Sequence, residues 1–228
     1  MPKNRKITLN NTNEIFLYDR TIKKDFDYNM WFAFPGPESF AMASLGYLWL
    51  FRAIDMLPDI NIERIYADTK TSRIYRESIN LIGFSFSFDM DFLSIFQILE
   101  NNKFAFKANE RTESDPLIFA GGPVITSNPE TYREIFDFLI IGDGEEPNLQ
   151  AIKLCKENKD KPKSEILKLL SEIEGVYVPS LNQTKVKKAT KKLAECIYTP
   201  ILSGNSFFPN TFIIEVERGC ANRCAFCI

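Results

Sequence analysis

The sequence predicts an α/β domain built on an open, mostly parallel sheet. Three observations point there: apolar runs alternate with amphipathic stretches between Met30 and Ile173, the runs end in turns bearing glycine, proline or acids, and most of these turns lead into a helix start. That repeating order suits a doubly wound sheet of flavodoxin type, in which a ligand is expected outside the carboxyl ends of the strands.

Each element has its own reason. After a polar lead-in through Tyr28, Met30 to Pro35 (MWFAFP) is a short apolar run closed by PGPE, as expected for a strand buried on both faces. Ser39 is placed to cap a helix from Phe40 to about Asp55, with Gly46 admitting a neighbouring backbone and Pro58 closing the segment. Ile62 to Asp68 (IERIYAD) alternates as a second strand, and Asn80 to Phe88 (NLIGFSFSF) supplies a third. Asp89 or Asp91 then caps a helix whose Phe92, Ile95, Phe96 and Leu99 share one face. Pro116 to Gly122 (PLIFAGG) reads as a fourth strand ended by paired glycines, and Asn128, Pro129 and Glu130 as a helix start.

The stretch FDFLIIGDGEEP repeats the design: a strand, a glycine turn, and a helix from Glu146 to about Cys155. A further helix from Ser164 buries Ile166, Leu169, Leu170 and Ile173. Beyond GVYVPS the pattern gives way to a lysine-dotted linker with some local strand structure, and a new strand at TFIIEVE feeds a cysteine loop. The expected organisation is an N-terminal extension (1–28), the α/β domain (29–180), a linker (181–210) and the start of a second domain (211–228).

Composition excludes several classes. The 28 basic and 30 acidic residues leave a formal charge of -2, too little to attract nucleic acid or an anionic membrane. No aromatic residues are interleaved with the lysines from Lys185 to Lys192, so that run reads as solvated linker rather than an RNA surface. The longest nearly uncharged stretch, SFAMASLGYLWLF, falls short of the ~20 residues a bilayer span needs. The N-terminus carries basic residues without the apolar core of a secretory signal, so a reducing cytoplasm is expected, and with it metal-bound rather than disulfide-bonded thiols. The chain contains no histidine, which removes imidazole from both catalysis and metal ligation.

Three of the five cysteines, Cys220, Cys224 and Cys227, fall in a C-x3-C-x2-C loop with Phe226 before the last. Three thiolates at this spacing suit three corners of an iron–sulfur cube and leave one iron without a protein ligand, whereas a closed cluster or a structural zinc needs a fourth. Cys155 and Cys196 read as small apolar residues. The adjacent Glu145 and Glu146 read as complements to a helix dipole rather than as catalytic acids.

With its preceding strand, EVERGCANRCAFC resembles the first strand and cluster loop of radical S-adenosylmethionine (SAM) enzymes. The resemblance implies a [4Fe–4S] cluster on Cys220, Cys224 and Cys227, SAM chelated to the open iron, and an electron donor such as flavodoxin or ferredoxin. Reductive cleavage of SAM to methionine and a 5′-deoxyadenosyl radical is the implied reaction. No side chain is assigned a catalytic role, and the substrate of the radical is left open. Upstream, FPGPESFAMASLGYLWLFRAI, RTESDPLIFAGGPVITSNPE and FDFLIIGDGEE resemble the cobalamin-binding-like domain that precedes the barrel in one branch of that superfamily. Together with GVYVPS they look like an uncharacterised group of such two-domain proteins. By the same likeness the chain is expected to be the N-terminal part of a longer protein whose radical SAM barrel is truncated here.

A corrinoid would then lie at the strand ends, near Ser85 and Ser87, Gly121 and Gly122, and Gly142 and Gly144. The Asp-x-His-x-x-Gly motif that supplies a lower ligand to cobalt in many cobalamin proteins is missing, so two readings stand: cobalamin without a protein ligand to cobalt, or a fold that has lost the cofactor. The competing functional class is a non-enzymatic corrinoid- or nucleotide-binding module with a regulatory iron–sulfur or metal site. A protein-interaction domain without a small ligand is the third.

Overall fold

The protein is seen in a computed structural model that describes residues 13–20, 26–69, 72–183, 185–191, 196–222 and 224–225. In chain order the strands are β1 (Glu14–Phe16), β2 (Tyr28–Phe34), β3 (Ile60–Tyr66), β4 (Leu81–Ser85), β5 (Leu117–Gly121), β6 (Phe138–Ile140), β7 (Val176–Tyr177) and β8 (Ile201–Ser203). The helices are α1 (Glu38–Ala41), α2 (Leu45–Asp55), α3 (Phe92–Asn101), α4 (Pro123–Ser127), α5 (Glu145–Glu157) and α6 (Lys163–Leu170).

The main sheet runs in the order β3-β2-β4-β5-β6-β7. Its first five strands are mutually parallel and β7 joins the edge antiparallel. Counted along the chain, the parallel strands have the 2-1-3-4-5 order of flavodoxin-type sheets, as the sequence predicts. Successive side chains of a strand point to opposite faces, so the apolar run of β2 is divided between two cores. Met30, Phe32 and Phe34 pack with α2, α5 and α6, while Trp31 and Ala33 pack with α3 and α4.

Several local expectations are corrected. The single helix expected from Phe40 to Asp55 is two helices, α1 and α2, separated by a turn in which Ala43 N–H and Ser44 N–H donate to the Phe40 and Ala41 carbonyls at 3.1 and 3.0 Å. Ser39 sits inside α1, and Pro37 occupies the cap position. Gly46 admits no neighbouring backbone, since a Cβ there would meet nothing within 4 Å. A short helix, α4, ends just before Asn128, and the start expected at Asn128 opens only a 3-10 turn, Pro129–Tyr132, with Asn128 at its N-cap position. Asp91 stands at the N-cap of α3 without a side-chain cap bond, and Asp89 accepts from the Tyr132 hydroxyl. On α3 the buried face is Ile95, Ile98 and Leu99, with Phe96 exposed; on α6 it is Ile166 and Leu170, with Leu169 exposed.

β1 and β8 pair antiparallel as a separate ribbon. Two ion pairs clamp it and its flank to the main body. The Arg64 guanidinium of β3 donates to both Glu14 carboxylate oxygens at 2.9 and 2.7 Å, and Asp55 of α2 accepts from the Tyr18 hydroxyl and Arg20 Nε, each at 2.8 Å. The segment 211–217, expected as a strand, makes one antiparallel bridge, Tyr198 to Ile214. Its Phe212, Ile214 and Val216 are exposed, because among the described residues only the chain near Ile197 to Thr199 pairs with it. No helix among the described residues is long and apolar enough to cross a membrane.

At the opposite end of the sheet, Arg111 lies with its side chain 1% exposed. It donates to the carbonyls of Ala105, Phe106 and Ile135 and to Asp137, whose carboxylate also accepts the Ile118 N–H at 2.7 Å. Truncation of one partner of such a pair leaves the other charge buried without compensation. Arg111→Ala is expected to cost about 3–5 kcal/mol in equilibrium denaturant unfolding, with Asp137→Asn costing less.

Candidate functional site

The carboxyl ends of β2, β4, β5 and β6 floor a cavity of about 440 Å3. It lies at the switch point of the sheet, where the chain leaves β2 for β3 on one side and reaches β4 on the other. Ser85, Ser87, Gly121, Gly122, Gly142 and Gly144, distant in sequence, all line it. Phe32, Phe84 and Ile140 contribute apolar floor, and α2 supplies a wall with Tyr47 and Trp49. The Tyr47 hydroxyl donates to the Phe32 carbonyl at 2.9 Å, and burial pushes its pKa well above the ordinary phenol value. Gly46, free of packing, also faces the cavity.

The glycines earn their place differently from the sequence expectation. Gly122 has φ +122°, and a Cβ there would lie 2.4 Å from the Phe86 carbonyl oxygen. Gly142 has φ +96°, with the Ala189 carbonyl oxygen 2.1 Å from the same notional atom. The backbone that approaches these two glycines is the protein's own. At Gly142 it is the lysine-dotted segment, which returns to the sheet through a parallel bridge and hydrogen bonds between Ala189 and both Ile141 and Asp143. Lys192 and its followers up to residue 195 lie outside the described residues.

The rim carries the charges, and sequence reasoning did not collect them. Arg218 Nε donates to Glu215 Oε1 at 2.8 Å, Nη2 donates to Glu145 Oε1 at 2.8 Å and Glu215 Oε2 at 2.9 Å, and Nη1 lies 3.4 Å from Asp143 Oδ1. Hydrogen bonding to Glu215 heads the causes that hold the guanidinium above its ordinary pKa. Glu145 does open α5, as its dipole reading requires, but it also reaches across to the segment that leads into the cysteine loop. The acids were visible in GDGEE; their partner, separated from Glu145 by 73 positions, was not.

Two residues after Arg218 comes Cys220. Cys220 and Cys224 are free, exposed thiols; Phe226 and Cys227 lie outside the described residues. No group of three metal-ligating side chains assembles among the described residues. Cys155 is the buried small residue expected, its thiol pushed up to about 12 by burial, whereas Cys196 is exposed rather than packed. Cys196 directly precedes the backbone pairing of Ile197 with Glu215, which leaves it at the open end of a short ribbon with no core to enter.

Residues 46–179, more than half of the chain, match the family of radical SAM proteins, N-terminal. The chain belongs to that family. The matched span holds most of the cavity lining in this radical SAM N-terminal region, and the cysteine motif lies beyond it. A curated relative, an uncharacterized protein of Methanocaldococcus jannaschii, is 24% identical over 156 residues, which cover 67% of this chain and 30% of that protein. Among solved structures, the cobalamin-dependent S-adenosylmethionine radical enzyme OxsB with aqua-cobalamin bound aligns with a TM-score of 0.48 at 18% identity, covering 72% of this chain and 23% of that one. OxsB with aqua-cobalamin and S-adenosylmethionine bound gives 0.45 at 17% identity, covering 72% and 22%. The fold assignment rests on the strand order itself rather than on these two likenesses.

Gly122→Ala is expected to destabilise the fold by at least ~1–3 kcal/mol, from the positive φ and the Phe86 carbonyl together, as read by thermal or denaturant unfolding. Thiol reactivity should separate the cysteines. Brief treatment of the native protein with iodoacetamide at pH 8 is expected to modify Cys196, Cys220 and Cys224 and to leave Cys155 intact until denaturant is added, as read by peptide mass spectrometry.

Proposed function

We propose that this chain is the N-terminal part of a radical SAM enzyme and that Cys220, Cys224 and Cys227 hold a [4Fe–4S] cluster. One observation carries the reading: a C-x3-C-x2-C thiol loop follows a region that belongs to the radical SAM N-terminal family. The donor set fits, since three soft thiolates suit an iron–sulfur cube with one open iron, and Cys220 and Cys224 are unbonded to each other and accessible. Bound there, the cluster would supply the electron that cleaves SAM to methionine and a 5′-deoxyadenosyl radical.

The contribution of this chain is placement. Arg218 anchors the approach to the loop on Asp143 and Glu145 of the α/β domain, so the position of Cys220 is tied to the cavity rim. SAM as co-substrate, a flavodoxin or ferredoxin as electron donor and a reducing cytoplasmic setting belong to this proposal. A second reading, a corrinoid- or nucleotide-binding module, is favoured by the cavity, which gathers every glycine and serine singled out for a ligand. Its volume of about 440 Å3 suits a nucleoside-sized group, such as the tail of a corrinoid, rather than a whole macrocycle.

Anaerobic reconstitution of the chain with iron and sulfide is expected to load about four irons per chain. Reduction should produce an electron paramagnetic resonance signal that SAM alters. Cys220→Ala, Cys224→Ala and Cys227→Ala should each abolish that signal. Stoichiometric zinc in protein purified without oxygen, or iron loading indifferent to all three substitutions, would overturn the proposal.

A further inference from the structure

We propose that a second cavity, at the end of the sheet opposite the first, binds a phosphoryl group, with Lys163 and Arg133 as its charged partners. The cavity measures about 490 Å3 and lies beside the start of β6, between the turns that hold Lys107 and Ser180 and the start of α6. Its lining carries four cations, Lys107, Arg111, Arg133 and Lys163, brought together from segments distant in sequence.

Two of these cations are short of acceptors. The Lys163 ammonium donates to the Thr112 carbonyl, and among the described residues no carboxylate comes within 4.0 Å of it. Burial pushes this ammonium below its ordinary pKa, outweighing the pull of Asp137, Asp115 and Glu113. Arg111 is bonded through its terminal nitrogens, but its Nε–H is buried without an acceptor.

The acids of the lining are committed to other groups. Asp137 accepts from Arg111 and from the Ile118 N–H, Glu113 accepts the backbone N–H of Lys163 at 2.9 Å, and Glu134 lies 3.2 Å from Lys107 Nζ. Arg133 is paired at 3.0 Å with Glu130, just outside the lining. That pair is 44% and 56% exposed, so it holds the guanidinium only weakly. With Glu130 included, acids and cations balance at four each, and location rather than net charge favours an anion. A desolvated ammonium without a carboxylate gains a charge-assisted hydrogen bond when an oxyanion arrives, at a local dielectric below that of water. Lys163, Arg133 and the Ser180 hydroxyl belong to three separate segments around the cavity, an arrangement that suits a tetrahedral phosphoryl group better than a planar carboxylate.

The test is isothermal titration calorimetry of the chain with inorganic phosphate, in a buffer free of other oxyanions, with acetate as the planar comparison. Phosphate is expected to bind saturably at a single site, and acetate about tenfold more weakly. Lys163→Met should weaken phosphate binding about tenfold, whereas Lys163→Arg, which keeps the charge, should largely retain it. Arg133→Gln should weaken binding severalfold without moving the unfolding midpoint, because that side chain is half exposed. Lys168→Gln, at an exposed lysine of the same helix, should leave binding unchanged. Binding that survives Lys163→Met but falls with Arg218→Gln would place the anion in the strand-end cavity. Binding indifferent to both would mean diffuse surface attraction, acetate as tight as phosphate would remove the selectivity, and no saturable heat would remove the site. Each of these four results overturns the inference, and none bears on iron loading by the cysteines.

Discussion

Burial of both faces of the parallel strands is the constraint on which the rest depends. A sheet of this kind is covered by helices above and below, and its central strands therefore place both side-chain rows in apolar packing. β2 shows the consequence directly: Met30, Phe32 and Phe34 enter one core, Trp31 and Ala33 the other. With both faces covered, only the strand ends remain to carry function. The order of the sheet opens those ends between β2 and β4, where the two directions of winding part.

The glycines illustrate how structural need and functional position coincide. Gly122 and Gly142 are required by the approach of Phe86 and Ala189, so their presence alone says nothing of a ligand. Both glycines nevertheless also line the strand-end cavity, beside the ends of β5 and β6. What gives that space chemical character is the charged rim: Asp143 and Glu145 at the start of α5, with Glu215 and Arg218.

Arg218 joins the domain to the segment that bears the cysteines. Its bonds to Glu145 and Glu215 and its proximity to Asp143 cross from α5 and its preceding turn to the chain just before Cys220. Each contact is partly solvated and individually modest, but three carboxylates around one guanidinium restrict its orientation more than any single pair does. The cavity rim is thereby linked to the chain just before Cys220.

The sequence by itself determined the fold class, the location of β2 to β6 to within a few residues, and the thiol spacing, because each depends on local chemistry: apolar period, turn residues and ligand type. It misjudged elements where neighbours decide, as in the break between α1 and α2, the 3-10 turn in place of a helix after Asn128 and the exposure of Cys196. Only the tertiary structure decided that Ser85, Gly121 and Gly142 share one cavity with Trp49, and that Arg218 meets Glu145 across 73 positions of chain. The physical reason is that strand order and long-range ion pairs arise from how covered faces stack in space, and no short window of sequence records which strand lies beside which.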